Sequence, residues 1–144
     1  MVNSILVVCI GNICRSPMAH ALFAEALPGI SISSAGIGAL VGHPADPIAT
    51  GLVARRGLDI SNHRARQINQ AMSLQADLIL TMDDQQRRHI ESRFPLTCGK
   101  VFRLGQASKS DVPDPYRLGE EAFENALNLI DAGVSSWVDR IKRI

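Results

Sequence analysis

Short apolar runs recur along the chain and are separated by longer polar segments. The first, Ser4–Ile10, is rich in β-branched residues and is bounded by Gly11, which is typical of a buried parallel strand. Runs at Ile30–Ser34, Asp77–Met82 and Val101–Leu104 predict further strands.

Segments of helical character alternate with these runs, each marked by a capping residue or a helix breaker. They cover Ser16–Ala26 before Pro28-Gly29, Asp46–Arg56 before Gly57, Asp84–Phe94 before Pro95, and Gly119–Arg143. Ser16 is the predicted N-cap of the first, and Pro17 suits its first turn. The last carries an apolar face made of Ala122, Phe123, Ala126, Leu127, Ile130, Val134, Trp137 and Ile141.

Strands that alternate with helices predict an α/β sandwich with a parallel sheet. The chain has no internal repeat, low-complexity tract or linker-like segment. We therefore predict a single domain over residues 1–144.

Charge, cysteine content and the absence of long apolar stretches limit the classes of function that the sequence supports. A net charge of +1 gives no indication of nucleic acid or an anionic membrane as partner, so any attraction for an anion must be local. The N-terminus lacks the features of a signal peptide, and no apolar stretch approaches the roughly 20 residues that span a bilayer. Three cysteines form a poor disulfide framework. We expect a cytoplasmic protein that needs neither metal nor disulfide to fold.

The segment CIGNICRS, residues 9–16, lies between the first predicted strand and the first predicted helix. Ligands bind at this end of parallel strands, and a helix N-terminus offers free N–H groups to a phosphate. Gly11 allows the backbone to bend into an anion nest, and Arg15 can hold two phosphate oxygens. A cysteine in this field should be a thiolate, which Ser16 can stabilise with a hydrogen bond. Although a single buried cysteine is usually a core residue, the joint Cys-x5-Arg-Ser pattern predicts that Cys9 is a nucleophile.

A thiolate that attacks a phosphate ester needs a proton donor for the leaving oxygen. Asp114 lies between Pro113 and Pro115 in the long polar loop at residues 106–118, and these prolines stiffen it. We predict Asp114 as the general acid and rank Asp111 below it, because Asp111 is less constrained.

The segment CIGNICRSP at residues 9–17 and the Asp114-Pro115-Tyr116 sequence resemble the two signature loops of the low-molecular-weight protein tyrosine phosphatases. Ser34-Ala35-Gly36, HRARQ at 63–67 and LILTMD at 78–83 also match, so the resemblance covers essentially the whole chain. It implies a three-layer α/β/α sandwich with a four-stranded parallel sheet and a phosphate-binding loop after the first strand. It also implies hydrolysis of phosphotyrosine through a cysteinyl-phosphate intermediate, with no metal and no cofactor.

The resemblance also implies the role of each main site residue. Cys9 is the nucleophile, Arg15 binds the phosphate, and Asp114 is the general acid and then the base that activates water. The phosphate-binding loop contributes Ile10, Gly11, Asn12, Ile13, Cys14 and Ser16.

Other positions take supporting roles in the family. Asn12 holds the loop in its strained shape with help from Ser34 and His63, and Ser16 stabilises the thiolate. Cys14 resembles the partner that can form a reversible disulfide with Cys9, the alternative being a small packing residue.

Departures from the animal members favour the bacterial branch. Leu40 stands where animal members carry a Trp that walls the cleft, His20 replaces a Glu, and Arg117 replaces the second of two tyrosines after Asp-Pro. Their Met-Asp-Glu-Ser-Asn is MDDQQ here, at residues 82–86. We expect Leu40 and Tyr116 to line the substrate cleft of a monomer. The expected partner is a phosphotyrosine protein, a bacterial tyrosine kinase that governs capsule or exopolysaccharide export.

Rival functions share the loop chemistry. A thioredoxin-coupled arsenate reductase needs two downstream cysteines, and only Cys98 follows Cys14. Phosphoarginine phosphatases of this family tend to carry Thr where this chain has Ile13, whose apolar side chain favours a flat aromatic ring. A phosphocarrier must protect its thiophosphate from water, whereas Arg15 and Asp114 promote hydrolysis. A catalytically silent phosphotyrosine-binding module would release no phosphate from p-nitrophenyl phosphate.

Overall fold

The computed structural model describes residues 1–143 and consists of a parallel sheet with helices on both sides. Its strands are β1 (Ser4–Cys9), β2 (Ser31–Gly36), β3 (Leu78–Thr81) and β4 (Val101–Arg103). Its helices are α1 (Arg15–Ala26), α2 (Pro47–Ala54), α3 (Gln70–Gln75), α4 (Asp84–Arg93) and α5 (Glu120–Lys142), with a 3₁₀ turn at Pro95–Thr97. Ile144 lies outside the described residues, and the single domain over 1–144 stays a prediction.

The sheet has the order β2-β1-β3-β4, and every neighbouring pair is parallel. The strand β1 is central and pairs with β2 from Ser4↔Ser31 to Cys9↔Gly36. Because all strands point the same way, their carboxyl ends share one edge. Cys9 therefore lies where the sheet opens to a ligand.

Alternate residues of β1 face opposite helical layers, as strand geometry requires. Ile5 and Val7 belong to the apolar core that includes Phe23 of α1 and Phe123 of α5. Leu6 and Val8 belong to a second core on the other face, together with Ile90 of α4. The two cores make three layers, which confirms the predicted α/β/α sandwich.

The long helix α5 packs against the end of β4. Gly133 permits a close approach, since a Cβ at this position would lie 2.8 Å from the Leu104 side chain and 2.9 Å from its carbonyl oxygen. Trp137 donates from Nε1 to the carbonyls of Arg103 and Leu104, at 3.1 and 3.0 Å. These contacts fix the start of the loop that leads to Asp114.

Several local predictions differ from the structure. The second strand extends to Gly36, although the sequence predicted its end at Ser34. Ser16 is not the N-cap of α1, because the helix already begins at Arg15 and its N-cap is Cys14. The second helix starts after Asp46 as predicted, but it ends at Ala54. The six-residue helix α3 is absent from the sequence prediction, and its N-cap Asn69 accepts the Met72 N–H at 2.9 Å.

Within residues 1–143, no helix is both long and apolar enough to cross a bilayer.

Candidate active site

Every backbone carbonyl in the loop between β1 and α1 accepts a hydrogen bond from a residue elsewhere in the chain. The acceptors are the carbonyl oxygens of residues 9–14, and the donors are, in order, the N–H groups of Ile37, Gly38 and Leu40, Nε2 of His63, and the N–H groups of Asp46 and Met18. These six contacts span 2.6–3.4 Å. The carbonyl dipoles are therefore occupied away from the centre of the loop.

The backbone N–H groups of the same loop, in contrast, are free of hydrogen-bond partners in the part of the chain described. From Ile10 to Cys14, none donates to a partner among residues 1–143. Converging N–H groups at a helix N-terminus form a concave site of positive potential. The loop can bind the oxygens of a phosphate group without any positively charged side chain, and Arg15 adds one.

Cys9 lies at the floor of this nest, and its sulfur contacts one hydroxyl. Sγ of Cys9 is 2.9 Å from Oγ of Ser16, and both side chains are buried. Nδ2 of Asn12 donates to the same Oγ at 2.8 Å. Because an amide NH₂ can only donate, the Ser16 oxygen accepts from Asn12 and its own proton is free to point at the sulfur. That arrangement stabilises a thiolate.

Asn12 joins the loop to the rest of the protein. Its φ of 59° lies in the left-handed region, where Asn is tolerated better than most residues. Nδ2 also donates to Oγ of Ser34 at 3.1 Å, and Oδ1 accepts the Arg66 N–H at 2.9 Å. These bonds offset the backbone cost of the bend.

His63 supports the loop from below. Its Nε2 lies 2.6 Å from the Asn12 carbonyl oxygen, which is an acceptor, so the proton resides on Nε2. Burial lowers the pKa of His63, the bond to Asn12 opposes that shift, and the positive charges of Arg64 and Arg66 lower it further. His63 is therefore suited to act as a neutral donor at physiological pH.

The guanidinium of Arg15 is held by a hydrogen bond to the protein backbone. Nη1 donates to the Val112 carbonyl at 2.7 Å, and Nη2 lies 3.8 Å from Oδ2 of Asp114. The Arg15 side chain is 3% exposed, whereas that of Asp114 is 50% exposed. A buried cation thus faces a carboxylate that solvent and substrate can reach.

The two carboxylates of the acid loop have different partners. Asp111 accepts from Nη1 of Arg103 at 3.0 Å. Asp114 faces Arg15, and its Oδ1 also accepts the Tyr116 N–H at 3.1 Å. Only Asp114 of the two lines the cleft above Cys9.

The cleft itself has a volume of about 190 Å³. It is lined by Cys9, Ile10, Gly11, Ile13, Cys14, Arg15, Gly38, Leu40, Asp114 and Tyr116. The structure thus brings together the predicted nucleophile, phosphate-binding arginine, acid and both predicted wall residues. Asn12, Ser16, Ser34 and His63 lie outside the lining and act on it through the hydrogen bonds above.

Cys14 lines the cleft, and its thiol has a raised pKa. Burial raises its pKa to about 12, with further contributions from the Asp46 carboxylate and from Cys9 and Asp114, while Arg15 opposes them. Cys14 therefore stays protonated at neutral pH. Its role as a disulfide partner of Cys9 stays a prediction.

Sequence reasoning missed several residues that hold the site. Gln67 accepts the Ala39 N–H at 2.9 Å and donates to the Ile37 carbonyl at 2.6 Å, so it braces the segment that carries Leu40. Arg66 holds Asn12, and Val112 holds Arg15. The one available signal was the polar HRARQ segment, which has neither strand nor helix periodicity.

A larger groove, of about 480 Å³, lies between the segments around α3 and α4. Gln67 contributes to its lining, but none of the predicted site residues does. Across residues 1–143, no cluster of three or more His, Cys, Asp or Glu side chains could hold a metal ion.

Comparisons with known proteins agree on one family. The family model described as "Low molecular weight phosphotyrosine protein phosphatase" matches residues 4–144. A protein of Ralstonia nicotianae, "Probable low molecular weight protein-tyrosine-phosphatase EpsP", is 55% identical over 100% of this chain and 99% of its own length.

Solved structures are similar over nearly the whole chain as well. Vibrio vulnificus Wzb in complex with benzylphosphonate has a TM-score of 0.94 and 38% identity, with 97% of this chain and 99% of that chain covered. The arginine phosphatase YwlE from Geobacillus stearothermophilus has a TM-score of 0.91 and 30% identity, with coverage of 97% and 93%.

Proposed function

Because the chain belongs to the low molecular weight phosphotyrosine protein phosphatase family, we propose that its phosphatase reaction is carried out by Cys9, Arg15 and Asp114. The enzyme is a protein-tyrosine phosphatase. The observation that carries the assignment is the cleft in which a cysteine sulfur, a buried arginine and a half-exposed carboxylate converge on free backbone N–H groups.

The first chemical step forms a cysteinyl phosphate. The phosphoryl oxygens bind to the N–H groups of residues 10–14 and to Arg15, which places phosphorus next to the Cys9 sulfur. The thiolate forms the S–P bond while the P–O bond to tyrosine breaks. Asp114 gives its proton to the departing tyrosine oxygen, since a phenolate is a poor leaving group.

The second step returns the enzyme to its starting state. Asp114, now a carboxylate, takes a proton from a water molecule that attacks phosphorus. The S–P bond breaks, inorganic phosphate leaves, and the departing thiolate accepts a hydrogen bond from Ser16. Asp114 is again protonated and Cys9 is again a thiolate.

The shape of the cleft supports phosphotyrosine as the substrate. Ile13, Leu40 and Tyr116 give apolar walls above the phosphate nest, which suit an aromatic ring. Phosphoserine is shorter and would bring its backbone against the walls before its phosphorus reached Cys9. That the related Wzb binds benzylphosphonate, a ring bearing a phosphonate, supports the same reading of the cleft.

We propose that the physiological substrate is a bacterial tyrosine kinase linked to exopolysaccharide production. Leu40 at the position of an aromatic wall leaves one side of the cleft lower, which suits a flexible phosphotyrosine segment. We also propose that the enzyme is a cytoplasmic monomer, consistent with its three free cysteines. Size-exclusion chromatography with light scattering, together with cell fractionation, tests this assignment.

A panel of phosphotyrosine, phosphoserine and phosphoarginine peptides of matched sequence tests the substrate class. We expect phosphotyrosine to exceed phosphoserine by at least about a hundredfold in kcat/KM, roughly 2.7 kcal/mol of transition-state preference. Leu40→Trp should alter the ranking of phosphotyrosine peptides. Equal rates on phosphotyrosine and phosphoserine would refute the substrate class, and a leading rate on phosphoarginine would favour the rival activity.

Identification of the partner needs a different experiment. A Cys9→Ser variant should retain its tyrosine-phosphorylated substrate from the native cell, and we expect a tyrosine kinase among the retained proteins. Retention of other phosphoproteins with no kinase would contradict the proposed partner.

A further inference from the structure

Four buried residues form one hydrogen-bonded chain from α4 to the phosphate-binding arginine. Oε1 of Gln86 accepts the Met82 N–H at 3.0 Å. The Met82 carbonyl accepts the Val112 N–H at 2.8 Å, and the Val112 carbonyl accepts Nη1 of Arg15 at 2.7 Å. Exposure is 3% or less for each of the four residues.

The orientation of the Gln86 amide is fixed by its partner. The Met82 N–H can only donate, so the amide oxygen must face it. Nε2 is then left without a hydrogen-bond partner among residues 1–143, and it is buried. An unpaired buried donor is costly, and a methionine of similar size would avoid it. Packing alone therefore does not account for a glutamine here, whereas the hydrogen bond that its oxygen accepts does.

The chain of contacts is also held at its α4 end. The Gln86 N–H donates to Oδ1 of the N-cap residue Asp83 at 2.7 Å, and Oγ1 of Thr81 donates to the Asp83 carbonyl at 2.9 Å. The turn from β3 into α4 is thus closed by three hydrogen bonds, two of which involve Gln86. A group mounted on this turn has little freedom to move.

We propose that Gln86 is a positioning residue for the phosphatase reaction, acting through Met82 and Val112 on Arg15 and on the acid loop. Val112 lies two residues before Asp114, so the same bonds that hold the Arg15 guanidinium also anchor the segment that presents the acid. The inference rests on the proposed roles of Arg15 and Asp114. It assigns to Gln86 no contact with the substrate.

Loss of the Gln86 bond should affect the reaction through the positions of Arg15 and of the acid loop. With Nη1 bound to Val112, Arg15 lines the cleft, and its Nη2 lies 3.8 Å from Oδ2 of Asp114. Loss of the Gln86 oxygen leaves the Met82 N–H unpaired and allows the 112–114 segment to shift. Small displacements of catalytic groups lower the reaction rate strongly, by about a hundredfold for 1 Å.

The primary test compares Gln86→Met with Gln85→Met, the same substitution at the adjacent exposed glutamine. We expect Gln86→Met to lower kcat/KM for phosphotyrosine peptides by about tenfold to a hundredfold, and Gln85→Met to leave it unchanged. Inhibition by inorganic phosphate should weaken in Gln86→Met, because the segment that anchors Arg15 can then shift. The deficit should be smaller for p-nitrophenyl phosphate, whose leaving group depends less on Asp114.

A conservative variant separates positioning from packing. Gln86→Glu keeps an oxygen in place of Oε1 that can accept the Met82 N–H, so folded Gln86→Glu should recover part of the activity that Gln86→Met loses. Folded Gln86→Glu protein that is as inactive as Gln86→Met would overturn the proposal. So would a Gln86→Met enzyme with normal phosphate inhibition, or one whose activity falls only as its folded fraction falls.

Amide hydrogen exchange in the wild-type enzyme keeps the proposal testable if Gln86→Met does not fold. The Met82 and Val112 N–H groups should exchange as slowly as the amides of β3. Fast exchange at either position would break the chain of contacts and refute the inference. If Cys9→Ser abolishes activity while Gln86→Met is normal, the positioning role alone fails and the proposed function stands.

Discussion

Nη2 of Arg15 lies 3.8 Å from Oδ2 of Asp114, although the two residues are far apart in the sequence. The arginine is buried and anchored to the Val112 carbonyl, while half of the Asp114 side chain is open to solvent. An immobile cation and an accessible acid therefore face the same cleft. The exposure of Asp114 is consistent with its proposed proton transfers to a leaving group and from water.

Removal of the acid should slow the enzyme in a way that depends on the leaving group. Asp114→Asn is expected to cost about 10²–10⁴-fold in kcat/KM on phosphotyrosine peptides, the usual worth of proton transfer. The cost should shrink for aryl phosphates with acidic leaving groups. Asp111→Asn is the control, since Asp111 pairs with Arg103 outside the cleft, and it should be nearly neutral. A larger loss in Asp111→Asn than in Asp114→Asn would reverse the assignment.

The Ser16 hydroxyl should matter to the sulfur itself. Ser16→Ala removes the one hydrogen bond to Sγ of Cys9 found in the described chain, so the thiolate becomes a poorer leaving group from the phosphoenzyme. We expect kcat to fall by about tenfold to a hundredfold, the worth of a hydrogen bond to a charged group. Rapid-quench kinetics should show phosphoenzyme accumulation.

Ser34→Ala is the matched control for Ser16→Ala. Its hydroxyl also accepts from Asn12 but does not touch the sulfur. A modest loss of stability without phosphoenzyme accumulation is expected. Equal kinetic effects of the two variants would show that Ser16 acts only through Asn12.

Acidification should weaken the fold through two histidines. Burial lowers the pKa of His20, with His63 and Arg66 adding to the shift, and burial likewise lowers the pKa of His63. A histidine with a depressed folded-state pKa takes up its proton first in the unfolded chain. Its contribution to the free energy of unfolding is complete above the unfolded-state pKa of about 6.5. That contribution is lost as the pH falls through the folded-state pKa.

Urea unfolding between pH 7.5 and about 5 measures this loss, over a range set by the ordinary histidine pKa. His20→Gln should give a shallower decline in the free energy of unfolding than the wild type. His89→Gln, at an exposed position of α4, should leave the slope unchanged. Parallel curves for the wild type and His20→Gln would contradict the account.

Cys14 should decide whether peroxide damage can be reversed. Peroxide oxidises the Cys9 thiolate to a sulfenic acid, and attack by the Cys14 sulfur would expel water and form a disulfide. Added thiol should then restore wild-type activity but not that of Cys14→Ser, while the exposed Cys98→Ser should behave as wild type. Because the pKa of Cys14 is raised to about 12, disulfide formation should be slow at neutral pH. Equal recovery of wild type and Cys14→Ser would remove the redox role.

The sequence was sufficient where structure is encoded locally. The β-branched run before Cys9 predicted the central strand, and the adjacent glycine and arginine predicted the anion nest. The same locality explains the error at Ser16, since a serine before a proline suggests an N-cap. Its hydroxyl is instead engaged by Cys9 and Asn12, which only the folded loop brings together.

Contacts between distant segments could not be predicted from the sequence pattern. The amide of Gln67 reaches the backbone of Ile37 and Ala39, whose positions depend on the whole fold. The helix α3 is short, and Ser73 is its only fully buried residue in the structure described, so its sequence has no apolar periodicity. Val112 contributes to the site through its backbone, which a residue type cannot reveal.

In the proposed mechanism, phosphate passes through the Cys9 sulfur. The most direct measurement is mass spectrometry of peptides from a reaction with a phosphotyrosine peptide, quenched in acid during turnover. A phosphorylated peptide that contains Cys9 is expected in wild type, with more of it in Ser16→Ala and none in Cys9→Ser, which should also be inactive. Phosphate on another residue, or turnover by Cys9→Ser at even about a hundredth of the wild-type rate, less than 3 kcal/mol of lost transition-state stabilisation, would contradict it.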